Sequence, residues 1–133
     1  MVEAAKELCE DIQTPAGKLI DQPHAQRRLT KAVAHLWISE MMTYRAQWAS
    51  VEKKPSGGFG PMAKMWSSEK FLVDSRALLD LTAPLSLSKR PGAAALINQC
   101  FRHAHGTTIY GGTSEVHRSM VAERYLGLPR TRG

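Results

Sequence analysis

The longest unbroken helical period in this 133-residue chain runs from about residue 22 to 53, and it commits the chain to a helical architecture. Leu29, Val33, Leu36 or Trp37, Met41, Tyr44, Trp48 and Val51 recur at three- and four-residue steps, the repeat of one helix face. Lys53-Lys54 sits where cations favour the negative end of the helix dipole, and Pro55-Ser56-Gly57-Gly58 then stops the helix.

The same period recurs on both sides of this segment. Val2, Ala5, Leu8 and Ile12 form a stripe over residues 1–12, ended by Pro15 and Gly17. Gly60-Pro61 opens a third helix, with Met62, Met65 or Trp66, Leu72 or Val73, and Leu78 or Leu79 on its apolar side. Thr82-Ala83-Pro84 ends it, and residues 84–92, including Lys89-Arg90, read as an irregular connection. A fourth helix is predicted over about 92–104, carrying Leu96, Ile97, Cys100 and Phe101. The last runs from Thr113 to Tyr125, with Val116, Met120 and Val121 on one side and Gly127 and Pro129 beyond it. No segment alternates with period two. The pattern predicts an all-α, up-and-down bundle of four main helices plus a short N-terminal or connecting helix, one domain over residues 1–133. Residues 130–133 are expected to fray.

Composition narrows the function. Hydrophobic residues make up 43% and charged residues 23%, the balance of a soluble globular protein. No apolar run approaches the roughly 18 residues of a membrane helix, and the acidic start is unlike a secretory signal, so a soluble, cytoplasmic protein with no membrane partner is expected. Cys9 and Cys100 read as small packed hydrophobes. The net charge of +6 suits nucleic acid or an anionic cofactor, but the cations are scattered without interleaved aromatics. A solvated basic surface, with no nucleic-acid partner, is the expectation. Histidines 24, 35, 103, 105 and 117 show no metal-ligand spacing, so no metal site is expected. His117 reads as cofactor contact or helix cover. Glu69, Asp74, Asp80, Glu115 and Glu123 form no evident acid–base pair; Glu115 falls in a helix first turn, where its charge stabilises the end.

The tail carries the chemistry. Tyr110-Gly111-Gly112-Thr113-Ser114-Glu115 passes from a glycine turn into capping residues and a helix, a candidate anion or cofactor seat. It is neither a P-loop nor a Rossmann fingerprint. The string Thr108 to Arg118 resembles the C-terminal signature of flavin-dependent acyl-CoA dehydrogenases, Tyr-Glu-Gly-Thr-Ser-Glu-Ile-Gln-Arg. Other stretches are similar to the family in order: Thr14 to Ile20, Met42 to Trp48, Ala63 to Glu69, and Cys100 to Ala104.

That resemblance implies the family's C-terminal helical bundle. It implies α,β-dehydrogenation of an acyl-CoA thioester, with FAD bound in an assembly. Tyr110, Gly111, Gly112, Thr113 and Glu115 become the cofactor-binding candidates. It also implies partners: a homo-oligomer, or a hetero-oligomer with a subunit carrying the N-terminal and middle domains. Gly111 occupies the place of the catalytic Glu, so no catalytic residue is assigned. Gln13 and Ala16 replace the Arg and Phe that grip a neighbour's FAD, and Thr82 to Ser86 replaces the His-Gly-Gly-x-Gly flavin loop. The expectation is a dehydrogenase C-terminal domain or small subunit, inactive alone. The alternative is a non-enzymatic helical interaction module of the same descent.

Overall fold

The computed structural model describes residues 1–88 and 91–130. The expected irregularity at Lys89-Arg90 and the expected fraying of residues 131–133 lie outside the described residues. Among the described residues five α-helices make the fold: α1 (Val2–Asp11), α2 (Pro23–Val51), α3 (Phe59–Leu81), α4 (Ala93–Thr107) and α5 (Ser114–Arg124). The all-α bundle read from the periodicity is the observed architecture.

A small hairpin that the periodicity does not reveal joins α1 to α2. Strands β1 (Gln13–Thr14) and β2 (Gly17–Lys18) pair antiparallel, Gln13 opposite Lys18 and Thr14 opposite Gly17. Two-residue strands are too short to show alternation. Side-chain chemistry specifies them instead: Thr14 Oγ1 donates to Gly17 O (2.7 Å) and accepts from Ala16 N (3.2 Å). Gly17 takes φ +107°, a region costly for a residue with a Cβ. A 3₁₀ turn at Leu19–Asp21 then delivers Pro23 to the first turn of α2, where its missing N–H costs nothing.

α3 is the central helix, packed by α2, α4 and α5, while α1 closes the far side against α2 and α4. The core gathers Ala5, Leu8 and Cys9 of α1, Leu19, Leu29 and Ala32, Leu78, Leu79 and Leu81 of α3, and Ile97 of α4.

The stripe that defines α2 in the sequence is not its buried face. The inward side of α2 instead carries Ala25, Leu29, Ala32, His35, Ser39, Met42, Ala46 and Ala49, all buried or half-buried, also spaced by threes and fours but mostly small or polar. Small side chains let two long helices approach closely along their length. Of the larger stripe, Leu29 is buried and Val33 half-buried; Trp37 (64% exposed), Met41 (71%), Tyr44, Trp48 and Val51 (78%) face outward. α5 departs in the same way: Ser114 and His117 are buried, Met120 and Val121 half-buried, and Val116 exposed.

Candidate functional site

The glycine turn is built by the way α4 ends. Thr107 Oγ1 and Thr108 Oγ1 donate to the carbonyls of Ala104 and His105, and the amides of Ile109 and Tyr110 both reach Gly106 O at 3.0 Å. This winds the chain tightly into Gly111 (φ +68°) and Gly112 (φ +99°), consecutive left-handed residues that reverse it towards α5. Thr113 is the N-cap rather than the first helical residue: its Oγ1 accepts from Val116 N (3.3 Å) and its carbonyl from His117 N (3.0 Å).

Two side chains lock the turn: Lys64, which does not stand out in the sequence, and His117, which does. Lys64, from α3, donates to Thr107 O (2.9 Å) and Gly112 O (2.6 Å). His117 is buried, and its Nε2 donates to Gly111 O at 3.0 Å. It is buried rather than spread over the helix surface, and it braces the turn from inside. A Cβ on Gly112 would lie 2.9 Å from His117 Nε2, so any larger residue there must push the buried imidazole aside. Above Gly111 there is space, the nearest atom to a built Cβ being Lys64 Cε at 4.0 Å.

The first amides of α5 are bonded within the turn. Ser114 N bonds to Thr108 O, Val116 N to Thr113 Oγ1, and His117 N to Thr113 O, while Glu115's own amide serves its carboxylate. That amide first, then the Thr113 hydroxyl and the Arg118 charge, hold the exposed Glu115 carboxyl below the usual carboxylate range. Arg118 also ties α5 to Glu69 of α3. Ser114 Oγ and His117 Nδ1 are buried without a protein partner. Tyr110 stands half out of the surface, its hydroxyl 3.0 Å from His103 Nε2.

Beside the turn, a cleft of about 470 Å³ opens between α2 and α3, with Tyr110 and Thr107 at one side and Met1 and Val2 at another. Its wall holds an acid–base pair, contrary to the reading of the carboxylates as unpaired. His35 Nδ1 lies 3.0 and 2.9 Å from the two Asp74 oxygens, and both side chains are largely buried. With Nδ1–H given to Asp74, Nε2 is the nitrogen that can take a proton. The pair does not replace the lost carboxylate at Gly111. Lys64, which reaches Gly112, is three turns, about 15 Å, from Asp74 along α3. The two residues come from separate helices 39 positions apart, and no local pattern could have joined them.

Comparison places this geometry. The model for the acyl-CoA dehydrogenase C-terminal domain matches residues 1–126. No curated protein matches the sequence significantly. Among solved structures, the ChsE4–ChsE5 complex of Mycobacterium tuberculosis shares the fold with TM-score 0.83 at 24% identity, over 98% of this chain and 34% of that one. A steroid acyl-CoA dehydrogenase, Tcur3481–Tcur3483, matches with TM-score 0.83 at 25% identity over 98% and 34%. A structure described as an FAD-dependent dehydrogenase matches with TM-score 0.86 at 19% identity over 96% and 33%. The chain therefore spans about a third of the length of the structures it matches. Its sequence and its bundle make it a member of the acyl-CoA dehydrogenase family, as that family's C-terminal domain.

Proposed function

We propose that this chain serves as the bundle part of a flavin-dependent acyl-CoA dehydrogenase assembly and does not catalyse alone. The observation that carries this reading is the Gly111 position: a braced turn with open space above it and no carboxylate on it. The wall is built, and the proton acceptor must come from another chain or domain.

The residues fit one edge of FAD. Glu115 is an exposed, ionised acceptor suited to a hydroxyl or ring N–H, and Tyr110, Gly111, Gly112 and Thr113 offer backbone beside it. The amides at the start of α5 are spent internally, so the pyrophosphate finds no donor there. When bound, FAD supplies the hydride acceptor; this chain's part is to shape and dry one side of the thioester pocket. The outward row Trp37, Met41, Tyr44, Trp48 and Val51 supports the partner reading, because a row of large apolar residues along one helix needs a covering subunit. A second copy and a dehydrogenase subunit with the other domains are the two candidates. The free cysteines Cys9 and Cys100 support a reducing compartment such as the cytoplasm. Among the described residues, no helix is long and apolar enough to cross a membrane.

The test is to purify the chain alone and with candidate dehydrogenase subunits, recording the flavin spectrum and acyl-CoA turnover. The expected result is no stoichiometric flavin on the lone chain and flavin with turnover in the complex. Stoichiometric flavin and turnover on the lone chain would overturn the reading. A non-enzymatic module is the second reading, favoured by the self-satisfied start of α5; a partner complex that never takes up flavin would select it.

A further inference from the structure

On a second cleft, of about 360 Å³, α2 and α3 set four cations: Arg27, Arg28 and Lys31 from one helix and Arg76 from the other. Against them stand two carboxylates. Asp74 is committed to His35, which leaves Asp80. None of the four cations, nor Asp80, forms an ion pair among the described residues. Arg28 is held in place across the seam by donating to Ala77 O at 3.1 Å.

Unpaired like charges converging from two walls repel one another, and a bound anion relieves that repulsion. Three of the four are arginines, whose planar forks match oxyanions two bonds at a time. The excess of charge calls for a ligand with more than one negative charge, and the volume suits a small molecule. The lining has no aromatic ring to stack a base, which disfavours nucleic acid.

We propose that this cleft binds a pyrophosphate or phosphate-ester group. The site lies away from the Gly111 turn, on residues outside the family signature, and its occupancy does not require the dehydrogenase reading; the lone chain suffices to show it.

Calorimetric titration of the full chain at low salt tests it, with inorganic pyrophosphate, CoA and dephospho-CoA as separate arms. Saturable pyrophosphate binding is expected, weakened about tenfold in the triple variant R27A/K31A/R76A. A control that removes the same charge elsewhere, K18A/K53A/K54A, should bind like the parent. The CoA arms identify the source: CoA binding tighter than dephospho-CoA assigns the phosphate monoester, and equal binding assigns the pyrophosphate. Circular dichroism melting keeps a folding failure of the triple variant separate from loss of the site; if it does not fold, R76A and R27A singly replace it. Absence of pyrophosphate binding, equal weakening by the control, or binding of a single-stranded oligonucleotide without pyrophosphate binding would overturn the proposal.

Discussion

His35 and Asp74 join the two longest helices through one side-chain pair, with His35 Nδ1 within 3.0 Å of both Asp74 oxygens. Trp66 packs edge-on against the same imidazole, 5.8 Å between ring centres, so the pair is enclosed as well as hydrogen-bonded. Removing one partner strands the other in a largely buried site. Asp74→Ala is expected to cost about 1–3 kcal/mol in urea unfolding, and the double variant with His35→Ala less than the sum of the singles. Additive single costs would show that the pair contributes nothing as a pair.

Gly112 and Gly111 should respond differently to a methyl group. Both have positive φ, so alanine strains each by about 1 kcal/mol. Only at Gly112 does the added atom also press on buried His117. Gly112→Ala is therefore expected to cost about 2–3 kcal/mol, roughly twice the cost of Gly111→Ala, by thermal or urea unfolding. Equal costs would mean that the His117 brace moves aside freely.

Lys64 holds two carbonyls of the turn with one ammonium. Lys64→Met keeps the aliphatic stem and removes both bonds. Amide exchange around residues 107–113 should then speed up by about tenfold or more, while α1 and the start of α2 are unaffected. Unchanged exchange would place the restraint on the turn elsewhere.

The outward row on α2 predicts a change of assembly without a change of fold. Trp37→Glu with Trp48→Glu should abolish association measured by light scattering, yet shift monomer stability by no more than about 0.5 kcal/mol, because both rings are already more than half exposed. Loss of the fold in this variant would show that the row is core after all.

Glu115 predicts a pH effect of definite sign. Its pKa is lower in the folded chain than unfolded, so its contribution to stability is fully present above the unfolded value. That contribution is lost as pH falls through the folded value. Glu115→Gln should remove this part of the acid dependence and leave unfolding near neutral pH with a flatter profile below it. An NMR titration placing Glu115 at or above the ordinary carboxylate value would contradict the geometry.

The order and extent of the helices were legible in the sequence because each is set locally. The observed ends of α2 and α3 fall within two residues of those read from Pro23, Pro55 to Gly58, Gly60-Pro61 and Thr82 to Pro84. α4 runs three residues past its expected end, since Thr107 bonds back to Ala104 and continues the turn. The glycine turn and its capping Thr113-Ser114 pair were legible too, because positive φ strongly favours glycine and N-capping favours a few small polar residues, although the helix begins at Ser114 and not at Thr113. The outward placement of the larger α2 stripe was not, since a three-four repeat identifies a face without saying what covers it.

The sequence by itself determined the helical bundle, the turn at Gly111-Gly112 and the family, all of which rest on local propensity and on residue order. Tertiary structure alone decided which face of α2 is core, that Asp74 meets His35, that Lys64 and His117 brace the turn, and that Arg27, Lys31 and Arg76 converge. Most of those relations join positions on different helices, and the His117 brace depends on how α5 folds back over its own turn. The former depend on the rotation and approach of packed helices, which no periodicity within a single segment encodes.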